Sequence, residues 1–293
     1  MAQQKIQLRK IRDFGENLGD TFQFIRQEFK PLLTSFVLLS GIFILAASIL
    51  GGLFQKEMFG VFDQLKTGGV ARQQGVTSFF TVGYFGFIIV SLLSMAAMQT
   101  VIAAYMQFYD EHGESPNTQQ VWAGFTKNFL KVFLYSIPQL IIIIISLFLC
   151  LFPVFYTITV LMPLTFIIVN ENSSFGDSFG RCFDIIKQNF WISLAIYLVS
   201  YIIYSVSSGI IGIMVAAIVG AGAYFSTDEL SSTAAIATSV LSVVQYVFYI
   251  IFFVSAGLHY YNLTELKDGT GLERRLEDLG GNNNPNTSIE EQY

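Results

Sequence analysis

Charge is scarce in this chain of 293 residues: Asp, Glu, Lys and Arg make up 13% of it, against 53% hydrophobic residues. With a mean hydropathy of +0.56, that excludes an ordinary soluble domain, in which about a quarter of residues are charged. Two cysteines, Cys150 and Cys182, have neither disulfide-framework nor metal-ligand spacing, and small buried thiols are the expected state. Histidine is limited to His112 and His259, which leaves no zinc spacing and no Ser-His-Asp set, and there is no P-loop or pair of acid/base carboxylates. No catalytic, cofactor-binding or metal-binding residue is therefore assigned. A nucleic-acid groove is lacking too, because the 16 basic residues gather near the ends of apolar runs and the net charge is −5.

What the chain does have is long uncharged runs. Pro31 to Phe54 holds 24 residues without a charge, enough at 1.5 Å per residue to cross about 30 Å of hydrocarbon. It follows thirty mostly polar residues and is about twice as long as a signal-peptide core, which predicts a retained helix. A second span is expected from Phe79 to Tyr109. The 38 uncharged residues from Val132 to Val169 would make about 57 Å of helix, too long for one span and right for two. The split falls near Phe152-Pro153, and Pro138 and Pro163 are expected to kink the two helices. Trp191 to Tyr224 and Ala234 to Asn262 supply spans five and six, joined by FSTDELSST. The expectation is an all-α polytopic membrane protein with six transmembrane helices over 31–262. Residues 1–30 form a cytoplasmic amphipathic segment, and 263–293 a cytoplasmic tail. Leu266, Leu272, Leu276 and Leu279 have the spacing of a short amphipathic helix, and the end of the tail reads as disordered.

Three joins before spans resemble one another. Ile11, Phe14, Leu18, Phe22, Ile25 and Phe29 recur at helical spacing, predicting an interfacial helix over 6–29 that Gly15 and Gly19 weaken near its middle. Arg26-Gln27-Glu28-Phe29, Thr126-Lys127-Asn128-Phe129 and Lys187-Gln188-Asn189-Phe190 then align. Phe22, Trp122 and Phe183 each lie seven residues before the terminal Phe, two helical turns upstream on the same face. Phe22, Phe29, Trp122, Phe129, Phe183, Phe190 and Trp191 are the expected interfacial anchors, and the chain is expected to be three repeats of an interfacial helix plus two spans. The connector from Gln55 to Ser78 is expected to lie partly along the interface. With both termini inside, thirteen basic residues are cytoplasmic and only Lys56, Lys66 and Arg72 are outside, which satisfies the positive-inside rule.

The third join carries a resemblance. Glu171, Ser178-Phe179, Arg181-Cys182, Ile185, Lys187, Asn189 and Phe190-Trp191 make it similar to YciC-like bacterial inner-membrane proteins and to the membrane domain of some glycerophosphoryl diester phosphodiesterases. The resemblance implies a six-span helical domain in a bacterial inner membrane. The chain departs from the phosphodiesterases in having no soluble catalytic domain.

Within the spans no ionisable group falls at mid-depth, since Lys131, Glu171 and His259 sit near predicted ends where they can snorkel. Gln99, Gln139 and Gln245 remain, either as interhelical contacts or as the lining of a lipid or solute path. Span five carries small residues, Ser205, Ser208, Gly209, Gly212, Ala216 and Gly220 among them, that let another helix approach closely. The expected function is a non-catalytic scaffold or accessory subunit of a cell-membrane assembly, with the lipid bilayer and other membrane proteins as partners. The competing reading is a lipid or small-solute transporter.

Overall fold

The computed structural model describes residues 5–67, 82–149, 151–225 and 230–269, with 271 and 273. The side chains of 55–67, 82–83, 151–152, 215–216 and 218–240 lie outside the description. Among the described residues the elements are all helical: α1 (Phe14–Gln27), α2 (Phe29–Thr67), α3 (Val82–His112), α4 (Thr118–Leu149), α5 (Leu151–Leu161), α6 (Leu164–Glu171), α7 (Phe175–Ile186), α8 (Phe190–Phe225) and α9 (Leu230–Asp268). Six stretches are long and apolar enough to cross a membrane: Phe29–Phe54, Tyr84–His112, Thr118–Leu149, Pro153–Glu171, Phe190–Met214 and Leu241–Asp268. The chain is thus a multi-pass helical membrane protein, as its uncharged runs predict.

Local chemistry explains the boundaries. Helix α1 begins at Phe14, where Asp13 and Glu16 form a reciprocal capping box: Glu16 N donates to Asp13 Oδ1 at 2.7 Å and Asp13 N to Glu16 Oε2 at 3.2 Å. The expected helix over 6–29 is corrected accordingly. Residues 5–13 form a non-helical strap, and Gly15 and Gly19 lie inside an unbroken helix. Gly113, at φ +65°, closes the turn after α3 in the left-handed region that a residue without Cβ enters freely. Pro163 separates α5 from α6, whereas Pro138 sits within a continuous α4.

Two expected joins are present as breaks, at Glu28 between α1 and α2 and at 187–189 between α7 and α8. The second is not: α4 runs unbroken from Thr118 to Leu149, with Asn128 Nδ2 donating back to Gly124 O at 3.0 Å within the same helix. Nor does helix stop at Gln55. Helix α2 continues to Thr67, 39 residues in all, about 58 Å long and so longer than a bilayer with its headgroups. Residues 68–78, Cys150, Leu272, Leu276, Leu279 and the end of the tail lie outside the described residues.

Within the bundle, α2 packs on α3, α4 on α5 and α8 on α9; α3 also packs on α4, α9 on α2, and α5 on α8. The second span of each pair lies inward. At the centre Met106 of α3, Phe166 of α6 and Gly257 of α9 meet so closely that a Cβ on Gly257 would lie 2.5 Å from Met106 Sδ and 2.7 Å from Phe166 Cε1. Buried side chains concentrate at one end, including Met98, Ile102, Tyr105, Phe166, Tyr260 and Tyr261. The outer helices turn apolar side chains outward, such as Leu38 and Ile42 on α2, Ile141 and Phe148 on α4, and Ile202 and Ile213 on α8. Lipid is as apolar as these side chains, so helix association rests on close packing and interhelical hydrogen bonds rather than on the hydrophobic effect.

Candidate functional site

Polar chemistry gathers at the buried end of the bundle, where the strap, α1 and α7 dock. The guanidinium of Arg12 is fully buried, and its Nε donates to Asp20 Oδ2 at 2.7 Å. Its Nη1 donates to Leu8 O at 2.7 Å and Lys10 O at 3.1 Å, and its Nη2 to Gln7 O. Five fixed donors make Arg the residue able to gather that many acceptors, so the strap is folded around its own side chain. Asn262 of α9 then holds the strap by its main chain: Arg12 N donates to Asn262 Oδ1 at 2.9 Å, and Asn262 Nδ2 to Arg12 O at 3.2 Å.

Charge pairs surround this anchor. Arg9 Nε donates to Asp110 Oδ2 at 2.8 Å and its guanidinium lies 5.4 Å from the centre of the Tyr261 ring. Burial opposes the Arg9 charge, and the Asp110 carboxylate more than offsets it, raising the guanidinium pKa above its ordinary value. On the other side Arg181 of α7 bridges Glu171 and Asp268, joining the ends of α6 and α9. Its pKa is raised for the same balance of reasons. Tyr260 Oη donates to Glu171 Oε1 at 3.2 Å and Tyr261 Oη to Asn170 Oδ1 at 2.9 Å. Glu28, buried at the α1–α2 break, accepts from Tyr105 Oη at 2.6 Å.

A third layer runs between α8 and α9 beneath α1. Ser193, Tyr197 and Ser200 face Ser255 and His259, with Ser200 and Ser255 hydroxyls 2.7 Å apart and His259 Nε2 2.8 Å from Ser193 Oγ. His259 is fully buried, which corrects the expectation that it snorkels to the interface. Cys182 is buried, as expected, and burial pushes its thiol up to about 12, with the nearby Glu171 charge acting in the same direction.

The three predicted amides are divided. Gln99 Oε1 accepts from Thr165 Oγ1 at 2.6 Å, linking α3 to α6, and Gln139 Nε2 donates to Leu161 O at 3.4 Å, linking α4 to α5. Both therefore act around the Pro163 break, where the helix ladder is interrupted. Gln245 lies elsewhere, beside Gly212 at the α8–α9 contact, so this part of the small-residue series serves packing within the chain. Of the aromatic anchors, Phe22, Phe29, Trp122, Phe183 and Trp191 are exposed, and Phe129 and Phe190 are half-buried against other aromatic rings.

Arg12, Asn17 and Asn262 carry this region without having been singled out from sequence, and His259 joins them although it was expected at the interface. The capping box Asp13-Phe14-Gly15-Glu16 is the signal that locates the start of α1 and so frees the strap from the helix. Among the described residues no group of three or more His, Cys, Asp and Glu side chains is arranged to hold a metal ion. Compared with protein-family models, curated proteins and solved structures, the chain matches none.

Proposed function

We propose that this chain is a non-catalytic scaffold or accessory subunit of a cell-membrane assembly, with both termini cytoplasmic in a bacterial inner membrane. The observation that carries the reading is the use made of its polar groups. Gln99 and Gln139 are engaged in helix-to-helix hydrogen bonds, and the three inward helices close on Met106, Phe166 and Gly257, an apolar contact with no room for a methyl group. A solute path needs polar groups free to meet its cargo.

The same reading takes the chain as three copies of an interfacial helix plus two spans. Burial in register supports it: Thr21, Val121 and Cys182 are buried one residue before the upstream aromatic, and Leu32, Val132 and Ser193 three residues after the terminal Phe. Packing supports it too, since each pair of spans contacts both other pairs. The resemblance to YciC-like proteins rests on the third-join residues alone and belongs to the same proposal. Purification from native membranes in mild detergent is expected to recover protein partners in stoichiometric amount. An isolated, monodisperse protein that moves a solute into liposomes would overturn the reading.

A further inference from the structure

The seam beneath α1 holds three fully or almost fully buried polar atoms without a hydrogen-bond partner: Asn17 Nδ2, Tyr197 Oη and His259 Nδ1. Each such group left bare costs about 1–3 kcal/mol, and three along one seam imply something that meets them. The surrounding hydrogen bonds settle the polarity required. Ser193 Oγ reaches both Asn189 O, at 2.9 Å, and His259 Nε2, at 2.8 Å; with its single proton given to the carbonyl one turn back, the usual bond of a helical serine, His259 Nε2 is the donor. His259 Nδ1 is then unprotonated and needs a donor. Asn17 Oδ1 accepts from Ser255 Oγ at 3.3 Å, which turns Nδ2, a donor in need of an acceptor, to the other side. Ser255 and His259 lie one helical turn apart on α9, so donor and acceptor border the same stretch of seam.

A lone anion would satisfy Asn17 and repel the Nδ1 lone pair; a lone metal cation would do the reverse. A neutral molecule that both accepts and donates suits both, and the close packing around Tyr197 and His259, whose ring centroids are 5.4 Å apart, admits only a small one. We propose that the seam is a built-in water site, in which ordered water accepts from Asn17 Nδ2, donates to His259 Nδ1 and meets Tyr197 Oη, fastening α1 to α8 and α9. Buried waters generally take about three such bonds.

The test is radiolytic hydroxyl labelling of the full chain in lipid nanodiscs, read by mass spectrometry. Radicals formed from bound water oxidise adjacent side chains even where bulk solvent is excluded. Tyr197 and His259 are expected to label several-fold faster than Tyr105, which is equally buried but bonded to Glu28. In Asn17→Leu, checked for folding by its melting temperature, the His259 rate should fall at least twofold. Labelling of Tyr197 and His259 at the Tyr105 rate means a dry seam and overturns the proposal. Nitrogen-15 NMR of histidine-labelled protein, with the His112 signal assigned through His112→Gln, supplies a second reading. A protonated Nδ1 on His259 or the absence of exchange with water counts against the site.

Discussion

At the scale of single residues, the least forgiving position is Gly257, because its neighbours cannot both retreat: Phe166 is itself stacked on Tyr260 at 5.9 Å. Gly257→Ala is expected to cost about 1–3 kcal/mol through overpacking, read as a lower melting temperature in detergent; an unchanged value would mean the inward helices separate easily. Cys182 makes a prediction of another kind. With its thiol pushed up to about 12 by burial, almost no thiolate exists near neutrality. In a Cys150→Ser background, native protein at pH 8 should resist maleimide and react fully once unfolded in dodecyl sulfate. Rapid native labelling would show that α7 opens. These roles were only partly legible in the sequence. A cysteine of this spacing reads as buried, but Gly257 gives no sign of itself until α3 and α6 are seen against it.

At the scale of elements, α7 is fastened to α9 through Asp184, whose two carboxylate oxygens meet Lys187 and Lys267, each at 3.1 Å. Hydrogen bonds from Lys187 and Lys267, and then their charges, hold this carboxyl below its ordinary value of 3.8. A depressed folded-state pKa stabilises the folded form above the unfolded value, and that contribution is lost as the pH falls through the folded value. Asp184→Asn should therefore loosen α7 at neutral pH, seen as faster amide hydrogen exchange after correction for intrinsic rates, and should match the wild type only once the pH is under the folded value, itself below 3.8. Equal exchange at neutral pH in both proteins would show that the tie contributes nothing. The strap teaches the same lesson about elements. Arg9 and Arg12 sit at positions that suit the polar face of a surface helix, yet one is half-sunk beside Asp110 and the other enclosed by its own segment.

At the scale of the whole molecule, the scaffold and transporter readings part on the amides. If Gln99, Gln139 and Gln245 only join helices, replacing all three by Leu should leave any liposome flux at its starting level. The same change should lower the melting temperature, since Gln99 and Gln139 each hold a partner on span four. Loss of a measurable flux with expression intact would favour transport instead. A similar division applies to the ends of the chain: Arg9 touches the region of Gly271, so the two ends of the described structure meet at one end of the bundle. That agrees with termini on a common side and leaves the choice of side to the distribution of basic residues.

By itself the sequence determined the number and approximate limits of the spans, because a charge in hydrocarbon is costly and its absence over 24 or 38 residues is visible without any fold. The capping box that starts α1 joins neighbours only three residues apart, but the apolar periodicity alone carried the expected helix back to residue 6. Only the tertiary structure decided that 5–13 leaves the helix to become a strap, that α4 needs no break at Asn128, and that His259 faces Ser193 rather than solvent. The reason is physical: these outcomes depend on partners distant in the chain, such as Asn262 for Arg12, and a single buried hydrogen bond outweighs the weak local preferences that a sequence displays.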